Sequence, residues 1–221
     1  MAGHVVAMGG WHRAHLDLML ELTGAARPRL LYVPTAAADD PGRILQFHEL
    51  ASMLDCVPEH LRLFGIPDAP VERVARADAV LVSGGNTANM LAVWRVHGID
   101  RALRAAWERG AVLGGGSAGA NCWFEASLTD SFGDELQPLR DGLGLLGGSF
   151  CPHYDGEPER RPAYTRLVAE GTLPPGIACD DAAAAWFEGT ALREIVTGDQ
   201  AGTGWEVTPG GERRLDARVL P

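Results

Sequence analysis

The sequence lacks the apolar runs and the cysteine pairs that mark several large protein classes. No apolar stretch approaches the length needed to cross a bilayer, and the N-terminus has no charged segment followed by a long apolar one, as a secretory signal would. No C-x-x-C pair occurs among the cysteines, which are Cys56, Cys122, Cys151 and Cys179. We therefore expect a cytoplasmic protein with reduced, mostly buried thiols rather than a disulfide framework.

Basic residues are also few. Lysine and arginine together number 19 against 29 acidic residues, which gives a net charge of −10. Nucleic acids and anionic membranes attract basic surfaces, so this balance argues against either partner. His12 and His15 lie close in the sequence, but no carboxylate or cysteine pattern completes a metal site around them, and we predict no metal.

What the sequence does contain is a glycine-rich turn around a serine. An apolar, strand-like run at 111–113 leads into residues 115–119 (GGSAG), which fit the pattern G-x-S-x-G. In a nucleophile elbow this pattern holds a serine on a sharp strand-to-helix turn, where small neighbours let the two arms approach. The same pattern occurs by chance in glycine-rich loops, so Ser117 is a candidate nucleophile that needs a base, an acid and oxyanion donors.

Strands and helices alternate through the first part of the chain. The apolar runs predict strands at residues 4–8, 29–33, 61–64, 78–82 and 111–113. Helical spacing of apolar residues predicts helices at 16–22, 44–54, 88–97, 100–109 and 164–170, and the connector 67–76 has room for a helical turn. This alternation is typical of an α/β fold with a mainly parallel sheet flanked by helices on both faces, in which sites collect beyond the carboxyl ends of the strands.

The later part of the chain has a different pattern. Residues 128–150 are rich in glycine and predict a loop-rich region, while 176–187 predict a turn and a strand. Gly189-Thr190 predicts a hairpin turn and 191–196 its return strand, which together form a C-terminal β-hairpin. The tail from residue 205 predicts one more strand. No repeat or linker divides the chain, so we expect a single domain over residues 1–221.

A serine nucleophile needs a base, and histidine suits because its pKa lies near neutral pH. Of the seven histidines, His153 has the best context, since it follows a strand-like segment and Pro152. An acid must orient the imidazole, and spacing does not choose among Asp130, Asp134, Asp155, Asp180 and Asp181. Oxyanion donors are expected from the Ala118 N–H and from the glycine turn at residues 84–85.

Three motifs together resemble the peptidase E (alpha-aspartyl dipeptidase) family, which is related to the cyanophycinases. They are residues 83–87 (SGGNT), residues 116–121 (GSAGAN) and Pro152-His153, in that order, and the resemblance spans residues 80–189. It implies a fold similar to class I glutamine amidotransferases, no cofactor, and cytoplasmic hydrolysis of dipeptides with N-terminal aspartate. By position it implies Ser117 as nucleophile, His153 as base, and the N–H groups of Gly85 and Ala118 as oxyanion donors.

The sequence departs from this family at the third member of the catalytic triad. The family's usual acid is a glutamate just before a late strand of small residues, and the aligned residue here is Asp181. An aspartate is shorter by a methylene, so its carboxylate falls short of His153 unless the backbone shifts, and such a displacement costs about a hundredfold in rate. An older family alternative places the acid soon after the nucleophile, at Asp130. We favour Asp181, because a residue at a strand edge is held more rigidly than one in a loop.

Family members bind the aspartate side chain of the substrate with an arginine in the segment after the base. Residues 157–162 (EPERRP) offer Arg160 and Arg161, although the segment matches the family pattern poorly. The planar fork of an arginine suits a carboxylate. We also expect Asn86 and Thr87, in the first motif, to contact the substrate.

The sequence therefore predicts a serine hydrolase that cleaves small N-terminal Asp dipeptides through an acyl-enzyme, with Ser117, His153 and Asp181 as its triad. Another small peptide, a beta-aspartyl linkage or an ester stays open as the substrate. The alternative is a homologue with altered or lost catalysis that binds an acidic metabolite, because Asp181 replaces the usual glutamate. The expected partners are a small peptide substrate and a second copy of the chain in a homodimer.

Overall fold

The computed structural model of the chain describes residues 3–221, which form two β-sheets with helices packed against them. The helices are α1 (Arg13–Leu22), α2 (Pro41–Ala51), α3 (Pro70–Ala75), α4 (Thr87–His97), α5 (Ile99–Glu108), α6 (Ala118–Asn121) and α7 (Arg160–Ala169). The strands are β1 (His4–Met8), β2 (Arg29–Val33), β3 (Val57–His60), β4 (Ala79–Val82), β5 (Val112–Gly116), β6 (Phe124–Thr129), β7 (Gln137–Leu139), β8 (Leu146–Cys151), β9 (Gly176–Cys179), β10 (Ala183–Glu188), β11 (Ala191–Thr197), β12 (Gly204–Thr208), β13 (Gly211–Leu215) and β14 (Ala217–Val219). None of the helices in this part of the chain is long and apolar enough to span a membrane.

The larger sheet has eight strands in the order β14-β11-β10-β1-β5-β4-β2-β3. The pairings from β1 through β3 are all parallel, whereas β10 runs antiparallel to both of its neighbours. Val5 of β1, for example, pairs with Leu113 of β5 on one side and with Phe187 of β10 on the other. The predicted α/β fold with a mainly parallel sheet, and its hairpin of β10 and β11, are therefore confirmed.

Alternate residues of the central strands enter two different cores, one on each face of the sheet. Val5, Val80 and Leu113 face the core formed with α3, α4 and α5, in which Trp94 is fully buried. Val6 and its alternating neighbours face the core formed with α1 and α2. Because both faces are covered, these strands are almost continuously apolar, which explains why their sequences predict them so clearly.

A second sheet of six strands, in the order β13-β12-β9-β8-β6-β7, was not predicted from the sequence. The supposed loop region 128–150 contains β7, β8 and the end of β6, and the tail contains three strands rather than one. β8 includes Gly147 and Gly148, and the short strand β7 has Pro138 at its centre. Neither strand shows the alternating apolar pattern that marks a typical strand. Helix α7 covers this sheet and buries Tyr164 against it.

The third strand of the large sheet does not lie where the sequence predicts it. β3 ends at His60, and the predicted segment 61–64 follows it. β3 is an edge strand whose residues are all only partly buried, so its sequence VPEH has no apolar run. Leu61 and Leu63 are buried, but their apolar character reflects core packing beyond the strand and not strand pairing.

The cysteines are core residues. All four have free, buried thiols, as predicted. Burial raises the pKa of each thiol, to about 12 for Cys151. The thiols therefore stay protonated and contribute packing rather than reactivity.

His15, which is fully buried in α1, should make the stability of the fold depend on pH. Burial and, secondarily, the charge of His12 lower its pKa from 6.5 to about 4, while contact with the Ala182 backbone offsets part of this shift. Between these two values the unfolded chain holds a proton on this imidazole that the folded chain does not. The free energy of unfolding therefore falls as the pH drops from 6.5 to about 4, and the total loss is about 3 kcal/mol once the pH lies below the folded-state pKa.

We predict that His15→Met, which replaces the imidazole by an apolar group of similar size, removes this part of the pH dependence. Urea unfolding of wild type and variant at the two ends of the window measures it. His97→Gln, at a partly exposed position in the last turn of α4, is the control and should keep the wild-type dependence. A His15→Met variant as acid-sensitive as the wild type would contradict the prediction.

Candidate functional site

Ser117 occupies a strained turn between β5 and α6. Its φ of 56° and ψ of −117° lie outside the regions that residues with side chains usually adopt. A Cβ on Gly115 would lie 2.5 Å from the carbonyl oxygen of Val82, and one on Gly119 would lie 2.4 Å from the same atom. Glycine at both places lets the two arms of the turn pack against the end of β4. The turn thus has the geometry that the G-x-S-x-G pattern predicts for an elbow.

His153 follows β8 and contacts an acid that follows the neighbouring strand. β8 and β9 are parallel, so the residues beyond their carboxyl ends meet at the same edge. His153 Nδ1 lies 2.5 Å from Asp181 Oδ1. Because a carboxylate only accepts hydrogen bonds, Nδ1–H is the donor, and in the neutral imidazole the lone pair is then on Nε2. In this arrangement Nε2 can accept a proton, and a carboxylate lies next to the ring, as the predicted role of His153 requires.

The shorter side chain of Asp181 does reach His153, contrary to the expectation from its missing methylene. The backbone N–H of Asp181 donates to Asp155 Oδ1 at 2.9 Å, and its carbonyl oxygen accepts from the Gly10 N–H at 3.0 Å. A Cβ on Gly156 would lie 2.0 Å from Asp181 Oδ2, and one on Gly10 would lie 2.9 Å from Oδ1. These hydrogen bonds hold the acid's backbone close to the base, and the two glycines enclose its carboxylate.

Three other candidate acids have different surroundings. Asp130, the older family alternative, and Asp134 are both exposed in the loop after β6. Asp180 is buried and accepts hydrogen bonds from a backbone N–H and from an indole N–H. Its burial, and secondarily the charge of a neighbouring aspartate, raises its pKa. Of the acids considered, Asp181 is the one hydrogen-bonded to His153.

Ser117 and His153 line one cavity of about 600 Å³ at the carboxyl edge of the large sheet. The turn formed by Gly84 and Gly85 after β4 also lines it, and a Cβ on Gly84 would lie 3.4 Å from the Ser117 Cβ. The residues that line it further include Trp11, Tyr32, Arg43, Gln46, Phe47, Leu50 and Leu81. A cavity of this size accommodates a short peptide.

The two predicted oxyanion donors have backbone N–H groups available to a ligand. Gly85 has a φ of 138°, and a Cβ there would lie 2.1 Å from the Ala36 carbonyl oxygen. Within residues 3–221 its N–H has no acceptor. Ala118 is the first residue of α6, where an N–H has no intrahelical acceptor.

The two arginines predicted to bind substrate lie outside the cavity. Arg160 is buried at the start of α7, where its Nε donates to Glu157 at 2.5 Å. Arg161 pairs with Glu212, and its guanidinium lies 4.2 Å from the centre of the Trp205 ring. Both arginines are thus paired with glutamates, Glu157 before the start of α7 and Glu212 on the second sheet. Sequence reasoning missed this because the partner of Arg161 lies far along the chain, in β13.

Asn86 and Thr87 also have structural partners. Asn86 caps α4 by accepting from the Asn89 N–H at 2.8 Å, and its amide donates to the Ser131 carbonyl at 2.9 Å. The Thr87 N–H donates to Ser131 Oγ at 3.0 Å. These bonds join α4 to the loop after β6, and neither residue is among those that line the cavity.

Sequence reasoning missed Arg43 and Gln46, which lie one turn apart on α2 and line the cavity. The signal that points to them is the position of their helix after β2. Because β2 is parallel to β4, the segment after its carboxyl end reaches the same edge of the sheet as the glycine turn and the elbow. Within residues 3–221 no group of three or more His, Cys, Asp or Glu side chains is arranged to hold a metal ion.

Known proteins resemble this chain along most of its length. The sequence model of peptidase family S51 matches residues 1–195. The chain belongs to peptidase family S51. The uncharacterized peptidase YgaJ of Bacillus subtilis strain 168 is 44% identical over 201 residues, which cover 87% of this chain and 86% of YgaJ. Peptidase E of Citrobacter koseri is 36% identical over 99 residues, which cover 44% of this chain and 43% of that protein.

A solved structure has the same fold. The crystal structure of a peptidase from an acI-B1 Actinobacterium matches with a TM-score of 0.71 and 21% identity, over 98% of this chain and 95% of that one. At this identity the likeness concerns the fold alone. Membership of family S51, together with a peptidase E among the relatives, confirms the resemblance that the three motifs suggested and makes the chain a peptidase.

We predict that Gly156→Ala breaks the hydrogen bond between His153 and Asp181, because the added methyl group collides with the carboxylate. The measurement is the proton NMR signal of His153 Nδ1–H, which a short bond to a carboxylate shifts far downfield. This signal should move upfield or disappear in the variant. Gly210→Ala is the control, because the nearest atom to an added Cβ there is 3.7 Å away, and it should keep the signal. An unchanged signal in Gly156→Ala would show that the glycine does not confine the acid.

Proposed function

We propose that this peptidase is a serine hydrolase that cleaves dipeptides with N-terminal aspartate through an acyl-enzyme. The observation that carries the proposal is the 2.5 Å contact between Asp181 and His153, whose ring lines the same cavity as Ser117. This arrangement supplies a nucleophile on an elbow, a base and an acid that orients the base. The substrate class rests on the resemblance to the peptidase E family.

In the proposed first half-reaction, Ser117 Oγ attacks the scissile carbonyl carbon while His153 Nε2 takes the hydroxyl proton. Asp181 keeps its hydrogen bond to Nδ1–H and stabilises the imidazolium. The N–H groups of Gly85 and Ala118 donate to the carbonyl oxygen as it becomes negative, and loss of one such donor typically costs about 10²–10³-fold in rate. The C–N bond then breaks, and His153 gives its proton to the leaving amine.

The second half-reaction releases the acyl group from the enzyme. The intermediate is an ester between Ser117 and the acyl half of the dipeptide. His153 removes a proton from a water molecule, which attacks the ester carbonyl, and the same N–H groups stabilise the second oxyanion. Collapse releases the free acid, and the proton held by His153 restores the serine hydroxyl.

The alternative of an altered or inactive homologue arose from the short side chain of Asp181. Since this side chain contacts His153, its length no longer argues for lost catalysis. Beta-aspartyl peptides and esters would use the same three groups, so only a panel of substrates separates them from alpha-aspartyl dipeptides.

The test is hydrolysis of Asp-Leu, with labelling by a fluorophosphonate in parallel. We predict cleavage by the wild type and losses of about 10⁴-fold or more in kcat for Ser117→Ala and Asp181→Asn, the latter because an amide favours the wrong imidazole tautomer. Asp134→Asn, in an exposed loop, is the matched control and should retain activity.

The outcomes separate three cases. Cleavage that Ser117→Ala abolishes supports the proposal. A wild type that is labelled at Ser117 but leaves Asp-Leu intact retains the serine chemistry and rules out this substrate. A wild type that is neither labelled nor active contradicts the hydrolase assignment and favours binding of a small acidic ligand.

We predict that Asp181→Glu lowers activity, although glutamate is the family's usual residue. Gly10 and Gly156 already enclose the present carboxylate, so an added methylene displaces it from His153 Nδ1. A displacement of about 1 Å costs on the order of a hundredfold, which the kcat/KM for Asp-Leu measures. A variant as active as the wild type would show that Gly10 and Gly156 move enough to make room for the longer side chain.

Further expectations stay predictions for this chain: a homodimer, a cytoplasmic location and a single domain over residues 1–221. The partner we propose is a small peptide. The net charge of −10 argues against nucleic acid and anionic membranes.

A further inference from the structure

Arg43 carries the one permanent positive charge among the described residues that line the cavity, and no aspartate or glutamate is among them. We propose that Arg43 binds a carboxylate group of the substrate, either that of an acidic side chain or that of the C-terminus. This inference rests on the proposed function, because it assigns the carboxylate to a peptide that Ser117 attacks.

The guanidinium of Arg43 is free to bind an anion. In residues 3–221 it forms no salt bridge within 4.0 Å, and its side chain makes one hydrogen bond, from Nη1 to the Gly84 carbonyl at 3.3 Å. Most of the N–H donors of its planar fork therefore have no partner. Gly84 in turn lies next to Ser117, so a single residue, Gly84, contacts both the cation and the nucleophile.

Arg43 is an exposed residue whose charge lies close enough to the Tyr32 hydroxyl to influence its pKa. Burial raises the pKa of the Tyr32 hydroxyl, and the positive charge of Arg43 opposes this shift. Tyr32 stacks on Phe47 with 4.7 Å between the ring centres, and these two rings form an apolar wall of the cavity that Arg43 also lines. A charge-assisted hydrogen bond to a carboxylate is stronger against such a wall than in bulk water.

The backbone of Arg43 is held at the start of α2. Asp40 caps this helix, and its Oδ1 accepts the Arg43 N–H at 2.8 Å. The carboxylate of Asp40 therefore stabilises the helix end and forms no salt bridge with the guanidinium of Arg43. Gln46 lies one turn further along the same helix and also lines the cavity, so its amide can bind the same ligand.

A local cation is needed because the protein as a whole is acidic. A net charge of −10 repels an anionic substrate at long range. The arginines that follow the base do not compensate, since Arg160 and Arg161 are paired with Glu157 and Glu212. Arg43 is therefore the residue positioned to attract a carboxylate to Ser117.

The experiment compares wild type, Arg43→Gln and Arg43→Lys on three substrates. Asp-Leu carries both candidate carboxylates, Asn-Leu lacks the one on the side chain, and Asp-Leu-amide lacks the one at the C-terminus. Arg62→Gln removes the same charge at an exposed position outside the cavity and is the matched control.

We predict that Arg43→Gln lowers kcat/KM for Asp-Leu by about 10- to 100-fold, that Arg43→Lys recovers part of this loss, and that Arg62→Gln has little effect. The loss should vanish for the one substrate that lacks the bound carboxylate. If Arg43→Gln causes no loss on Asn-Leu, Arg43 binds the side-chain carboxylate. If it causes no loss on Asp-Leu-amide, Arg43 binds the C-terminal carboxylate. Equal losses on all three substrates, or no loss on Asp-Leu, would overturn the proposal.

A binding measurement separates this inference from the proposed function. Ser117→Ala cannot turn over, so calorimetry can measure the affinity of Asp-Leu for this variant and for Ser117→Ala with Arg43→Gln. Affinity that falls about 10- to 100-fold on loss of Arg43 supports the inference even if the wild type hydrolyses nothing. Affinity that is absent, or unchanged by Arg43→Gln, overturns it.

Discussion

Close contact between backbones at one edge of the large sheet determines where the serine, the imidazole and the acid lie. An added Cβ would come within 3.0 Å of a backbone atom at Gly9, Gly10, Gly85, Gly115 and Gly119. A larger residue at any of these places would force a strand end or turn to move, which a close-packed interior resists. The groups of the site are therefore held by the packing of the backbone before any ligand binds.

This constraint also accounts for the aspartate at the place where the family's usual residue is a glutamate. Asp181 reaches His153 because its own backbone is drawn in by Asp155 and by Gly10, and Gly156 leaves just enough space for the shorter carboxylate. Asp181 itself is not among the residues that line the cavity. The cavity itself thus contains no acid, and its fixed charge is the cation of Arg43.

The fold was predictable where each strand is covered on both faces. β1, β2, β4 and β5 are buried runs, and the alternation of these runs with helices was enough to predict the parallel sheet. The second sheet escaped prediction because β7 and β8 contain Pro138, Gly147 and Gly148, whose place in a strand depends on the neighbours they pair with. Strands of this kind carry almost no local signal.

The sequence by itself determined the elbow at Ser117, the helices and strands around it, and the family, because these depend on local spacing and on small residues at particular places. Only the tertiary structure decided which acid meets His153 and which arginine lines the cavity. The sequence favours Asp181 as the acid but leaves Asp130 as an alternative, and Arg160 and Arg161 are nearer to the base in sequence than Arg43. The partners of Asp181 and Arg161, which are His153 and Glu212, lie far away along the chain. A hydrogen bond or an ion pair depends on distance in space, which sequence separation does not encode.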